Sequence, residues 1–167
     1  DPMLWMRRNQ ITGDTLRMGG VGEAIDTLEV RSRAFVAAED TVIERIHQMK
    51  GLRLNARLTG EELEFVRVGP QAQAIRYLKE ENRPNGAVQL SSDRIRAWFR
   101  ADSLRRVNAS SGIEGTYFDE SVLPDTLQLE GFRWEPDQRP RRETLMDEVP
   151  AGWRDHPLWA RTRDESS

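Results

Sequence analysis

The chain has 167 residues, 37% of them apolar and 32% charged, with a formal net charge of -3, which suits one domain with a modest core and leaves little room for two. Cysteine is absent, which excludes a disulfide framework, a thiolate nucleophile and a zinc site built on sulfur. His47 and His156 are the only histidines, no run approaches the roughly eighteen apolar residues of a membrane span, and no signal-peptide pattern opens the chain. The expectation is therefore a cytoplasmic protein with no metal, cofactor or membrane.

Carboxylates are plentiful but match no calcium-loop spacing. Lys50 and Lys79 are the only lysines, so almost every positive charge is a guanidinium, suited to planar and bidentate contacts. A compositional bias across the genome produces the same excess.

In chain order, Met3, Leu4, Trp5 and Met6 form a short apolar start, and Gly19, Gly20 and Gly22 read as a joint. Over residues 23–50, Leu28, Phe35, Val42 and Met49 recur at sevens with Ile25 and Ile46 beside them. That stripe predicts one long amphipathic helix, facing either a bundle core or the same helix of a second copy in a homodimer. Gly51 reads as its stop. Thr59 and Glu62 match a capping box and predict a helix from about Gly60. Another is expected from Pro70 through Ala74, Ile75 and Leu78, with a turn at 81–86 in which Asn85 and Gly86 reverse the chain.

After Ser110 the composition changes, and Tyr117, Phe118 and residues 126–134 predict at most a short β-hairpin. From residue 135, prolines, arginines and acids dominate around the isolated Trp153, Leu158 and Trp159. The predicted organisation is mainly α: a compact helical bundle over 1–134 carrying the hairpin, and an irregular C-terminal arm over 135–167, partly flexible.

The segment 94–116 is the densest in arginine. Ser91, Ser92 and Asp93 suit a helix start, Ile95, Trp98 and Phe99 share one face of the helix they would open, and Ser103 suits a second start before Leu104 and Val107. This predicts a helix-turn-helix-like unit in which Arg94, Arg96, Arg100, Arg105, Arg106 and Asn108 meet nucleic acid. The same composition fits a protein interface, since arginine and tryptophan are favoured anchors. The acidic balance of the chain favours that second reading. Its contact residues are Trp98, Arg100, Arg105 and Arg106, with Trp153 and Trp159 as a second set. Arginines held in solvent for solubility account for the same pattern more simply.

No nucleophile-elbow, zinc or phosphate-loop motif occurs, so a non-enzyme is favoured. The nearest acid cluster is Glu114, Asp119, Glu120 and Asp125 beside Tyr117 and Arg105. It supports only a third reading, a transferase or hydrolase with a non-local acidic site. Residues 109–116, ASSGIEGT, resemble the inhibitory helix of the Fic adenylyltransferase family at Ser110, Glu114 and Gly115. The resemblance implies that Glu114 pairs with an active-site arginine and blocks productive ATP placement. That family's catalytic motif, beginning His-Pro-Phe, does not occur here, so what is implied is a regulator of such an enzyme. Taken together, the sequence points to a non-catalytic protein-binding or regulatory module.

Overall fold

The computed structural model describes residues 2–22, 24–60, 62–101 and 103–140. Apolar and polar residues alternate along most of them, as in Leu54-Asn55-Ala56-Arg57-Leu58 and Ile95-Arg96-Ala97-Trp98-Phe99, and a period of two buries one face of a strand. The strands are β1 (Met3–Met6), β2 (Asn9–Thr12), β3 (Thr15–Gly19), β4 (Thr27–Asp40), β5 (Arg45–Thr59), β6 (Glu62–Gly69), β7 (Ala72–Glu80), β8 (Arg83–Ser92), β9 (Arg94–Arg100), β10 (Ser103–Ser110) and β11 (Glu114–Phe118). Two short 3-10 turns, Glu120–Val122 and Pro136–Gln138, are the only helical elements among the described residues. The expected helical bundle is therefore wrong.

All pairings are antiparallel, and β4 and β5 are shared by two layers. The first layer runs β3-β4-β5-β6-β9-β10, using Thr27 to Arg31 of β4 and Arg53 to Thr59 of β5. The second runs β1-β2-β4-β5-β7-β8-β11, using Ala34 to Asp40 and Arg45 to Gly51. The chain bends between the halves of β4 at Ser32 and Arg33, both in the left-handed region, where the register to β5 shifts. β5 continues through Gly51, whose side faces Val68 so closely that a Cβ would lie 2.5 Å from its Cγ1.

Between the layers lies the main core, which includes Ile11, Leu28, Val36, Leu54, Val66, Ile95 and Phe99. A second, smaller core covers the outer side of the second layer, where Phe35, Ala37 and Ile75 meet Leu129, with Leu127, Phe132 and Trp134 packed around them. Residues 123–135 thus form a strap rather than the hairpin strands expected there. Two buried glutamines hold it. Gln48 Oε1 accepts the Leu129 N–H at 2.8 Å, while Gln10 donates to the Arg133 carbonyl at 2.8 Å and accepts the Glu135 N–H at 2.9 Å. Packing continues past the expected boundary at 134, since Arg139 stacks on Trp5 and pairs with Glu39.

The heptad over 23–50 belongs to two strands and a turn. Seven is odd, so it carries a strand residue to the opposite face: Leu28 lies in the main core and Phe35 in the second, while Val42 sits exposed in the β4–β5 turn. With strands and a turn in place of that helix, no helical stripe exists there to pair two copies. The Thr59–Glu62 match falls on the β5–β6 hairpin, where those two residues face each other. Pro70 occupies the β6–β7 turn, and the reversal expected at Asn85–Gly86 occurs instead at Glu81–Asn82.

Candidate functional site

The segment expected to form two helices is the β9–β10 hairpin, turned at Ala101. Because Ile95, Ala97 and Phe99 are buried, Arg94, Arg96, Trp98 and Arg100 point away from the core. On β10, Leu104 and Val107 pack inward, and a register shift at Arg105 brings Arg106 opposite Trp98.

Register then carries this face across four strands. Arg57 on β5 lies opposite Phe65 on β6, Phe65 opposite Trp98, and Trp98 opposite Arg106. The Trp98 and Phe65 rings are 5.4 Å apart, tilted by 56°. The Arg106 guanidinium lies 4.2 Å from the Trp98 centroid and that of Arg57 5.4 Å from the Phe65 centroid. A continuous cation–aromatic ladder results, and such contacts contribute roughly 0.5–1 kcal/mol each at exposed sites.

Beside it runs a second row, Arg17–Glu29–Asn55–Arg67–Arg96–Asn108, each residue opposite the next on the neighbouring strand. A third sets Arg31 opposite Arg53. Against these arginines the face holds Glu29, bonded by Arg31 at 2.8 Å, and Glu64, bonded by Thr59 at 2.9 Å and Arg57 at 3.2 Å. The Arg31 hydrogen bond, together with the charges of Arg31, Arg17 and Arg53, holds the Glu29 carboxyl below its ordinary range. The Thr59 and Arg57 bonds do the same for Glu64. Arg53, Arg67, Arg96, Arg100, Arg105 and Arg106 make no ion pair among the described residues.

The structure therefore brings Trp98 and Arg106 into contact and sets Arg96 opposite Asn108 and Arg94 opposite Ser110. Arg100 stands at the turn end of the hairpin, and Arg105 is the extra residue of the bulge, its carbonyl accepting from Arg76 at 3.2 Å. A helix-turn-helix is excluded. Trp153 and Trp159 lie outside the described residues. Trp98, read from the sequence beside Ile95 and Phe99 on one helical face, is separated from both by strand alternation. Sequence reasoning missed Arg57, Phe65, Arg67, Arg53 and Arg17, although the alternation in Val66-Arg67-Val68 and Leu54-Asn55-Ala56-Arg57 marks them as outward positions.

No protein-family profile matches the chain, and no curated protein matches it.

The acidic cluster is dispersed. Glu120 is engaged by Arg45 at 2.6 Å and by the Gly86 N–H at 2.8 Å, and Asp119 caps its own 3-10 turn through Ser121. Ser110 ends β10 while Glu114 and Gly115 open β11, so the segment resembling an inhibitory helix is a strand turn here. A groove of about 600 Å³ lies beside the bend of β4 and β5, between Phe35, Gly51 and Lys50 on one side and Glu130, Phe132 and Arg133 of the strap on the other. Its charges are mixed, with Arg33 paired to Asp14 and Lys50 bonded to the Glu130 carbonyl. Among the described residues no group of three or more His, Asp or Glu is placed to hold a metal, and no helix is long and apolar enough to cross a membrane.

Proposed function

We propose that the protein is a non-catalytic binding or regulatory module that contacts another protein through the arginine and aromatic face of its first layer. The observation carrying this reading is the ladder of Arg57, Phe65, Trp98 and Arg106, flanked by Arg67, Arg96, Arg100 and Arg105, which make no ion pair among the described residues. Arginine and tryptophan bury large areas and form directed bonds, which is why they dominate interface energetics. A rigid sheet also presents them at little ordering cost. A cytoplasmic setting belongs to this proposal, in keeping with a chain free of cysteine.

The same unneutralised guanidiniums favour nucleic acid as the second reading, read by the sheet face and centred on Arg94, Arg96, Arg100, Arg105, Arg106 and Asn108. Affinity purification from the native host with the wild-type chain and with an Arg100→Glu/Arg105→Glu/Arg106→Glu variant tests both. Loss of a co-purifying protein is the expected outcome. Loss of bound nucleic acid alone points to the second reading, and an unchanged set of partners removes this face from consideration.

A further inference from the structure

We propose that the partner of this face is an acidic polypeptide segment in extended conformation, whose carboxylates lie over the Arg31–Arg53 and Arg67–Arg96 pairs. This rests on the protein-contacting role proposed above and adds the chemistry of the partner.

The first support is a local conflict. Arg67 and Arg96 lie directly opposite on β6 and β9, and Arg31 and Arg53 directly opposite on β4 and β5. Like charges facing each other across strands destabilise a sheet. Arg67 and Arg96 make no ion pair among the described residues, and Arg31 and Arg53 share the single carboxylate of Glu29, bonded to Arg31 alone, although the chain has 28 acids against 25 basic residues. Positions that oppose local stability in this way are expected where a ligand supplies the missing charge.

The second support separates peptide from polynucleotide. Sheet surfaces that bind single-stranded nucleic acid offer bare aromatic faces on which bases stack. Here Trp98 is flanked by Phe65 on one side and by the Arg106 guanidinium on the other, and Phe65 is capped by Arg57. No platform is left open on this ladder. Both lysines lie off this face, at Lys50 and Lys79 on strands of the second layer. A purely guanidinium surface is matched to planar, bidentate carboxylates.

Spacing sets the register. The two arginine pairs are offset by two strands and two residues, about 12 Å from strand spacing and rise, close to the span of four residues in an extended chain. Acidic residues four apart in the partner would therefore reach both.

The test uses the full chain and a labelled oligoglutamate peptide, monitored by fluorescence anisotropy. Wild type should bind, with affinity falling as salt is raised because the contacts are exposed charges. The Arg67→Gln/Arg96→Gln variant should bind at least about tenfold more weakly while its thermal midpoint stays level or rises, since the like-charge contact is relieved. Arg53→Gln gives an independent second variant with the same expectation. The proposal is overturned if wild type does not bind the peptide, if both variants bind it as wild type does, or if oligodeoxythymidylate or phosphatidylglycerol vesicles bind more tightly. A host protein lost on charge reversal at Arg100, Arg105 and Arg106, combined with no oligoglutamate binding, would leave the protein-binding role standing and refute only the acidic-segment chemistry.

Discussion

His47 is the buried titratable group with the clearest consequence for stability. Its Nδ1 accepts the Tyr77 N–H at 3.1 Å, which requires an unprotonated nitrogen, and its Nε2 lies 3.7 Å from Asp40 Oδ2. Burial pushes its pKa from 6.5 to about 4, with the Asp40 charge opposing and Arg76 and Lys79 assisting. The unfolded chain takes up this proton first, so the stabilisation is complete above about pH 6.5 and is lost as pH falls toward about 4. A shift of this size corresponds to something on the order of 3 kcal/mol. Urea unfolding measured down this pH range should show the loss, and His47→Gln, which has no proton to take up, should remove that part of the slope. An undiminished slope in the variant would assign the effect elsewhere. The sequence marked His47 only as one of two histidines, too few for a multi-histidine metal site. Its burial depends on Ala38 and Tyr77, which reach it through strand pairing and were invisible from the chain order.

At the scale of elements, the turns carry much of the local strain. Glu81 and Asn82 form the two-residue loop between Glu80 and Arg83, both with positive φ, 50° and 63°. Such a hairpin prefers Asn-Gly, and a glutamate in the left-handed region costs roughly 1–2 kcal/mol. Glu81→Asn combined with Asn82→Gly should therefore stabilise the protein by about 1 kcal/mol, read as a higher thermal midpoint with an unchanged circular dichroism spectrum. The turn composition of 81–86 was legible, but its centre was not, because Asn85-Gly86 is the stronger turn dipeptide. Gly86 instead lies within β8, where a Cβ would stand 2.4 Å from the Phe118 carbonyl, so it is needed for the approach of β11. The strands themselves were misread for a related reason. The spacing of Leu28, Phe35 and Met49 satisfies a helix template, while the alternation in Leu28-Glu29-Val30-Arg31 and Leu54-Asn55-Ala56 satisfies a strand template over shorter windows. The longer periodicity carried the wrong reading because two layers supply two apolar faces to the same long strand.

For the whole molecule, the strap joins β2, β5 and the end of the described chain into one unit through the side-chain amides of Gln10 and Gln48. Gln48→Leu would leave the buried Leu129 N–H without its acceptor, a loss of about 1–3 kcal/mol. Hydrogen exchange should then accelerate at residues 127–135 more than in β5 and β6, since the strap rests on the smaller core. Equal acceleration throughout would mean that strap and sandwich open as a single cooperative body. Residue chemistry alone determined that no disulfide or thiolate chemistry is available and that the cationic side is almost wholly arginine. Those properties are local and need no knowledge of neighbours. Only the tertiary structure decided that Arg57, Phe65, Trp98 and Arg106 share one face, that Arg67 confronts Arg96, and that residues 123–135 cover a second core. Pairing between strands joins positions far apart in the chain, and no short window of sequence specifies which backbone hydrogen bonds will form across that distance.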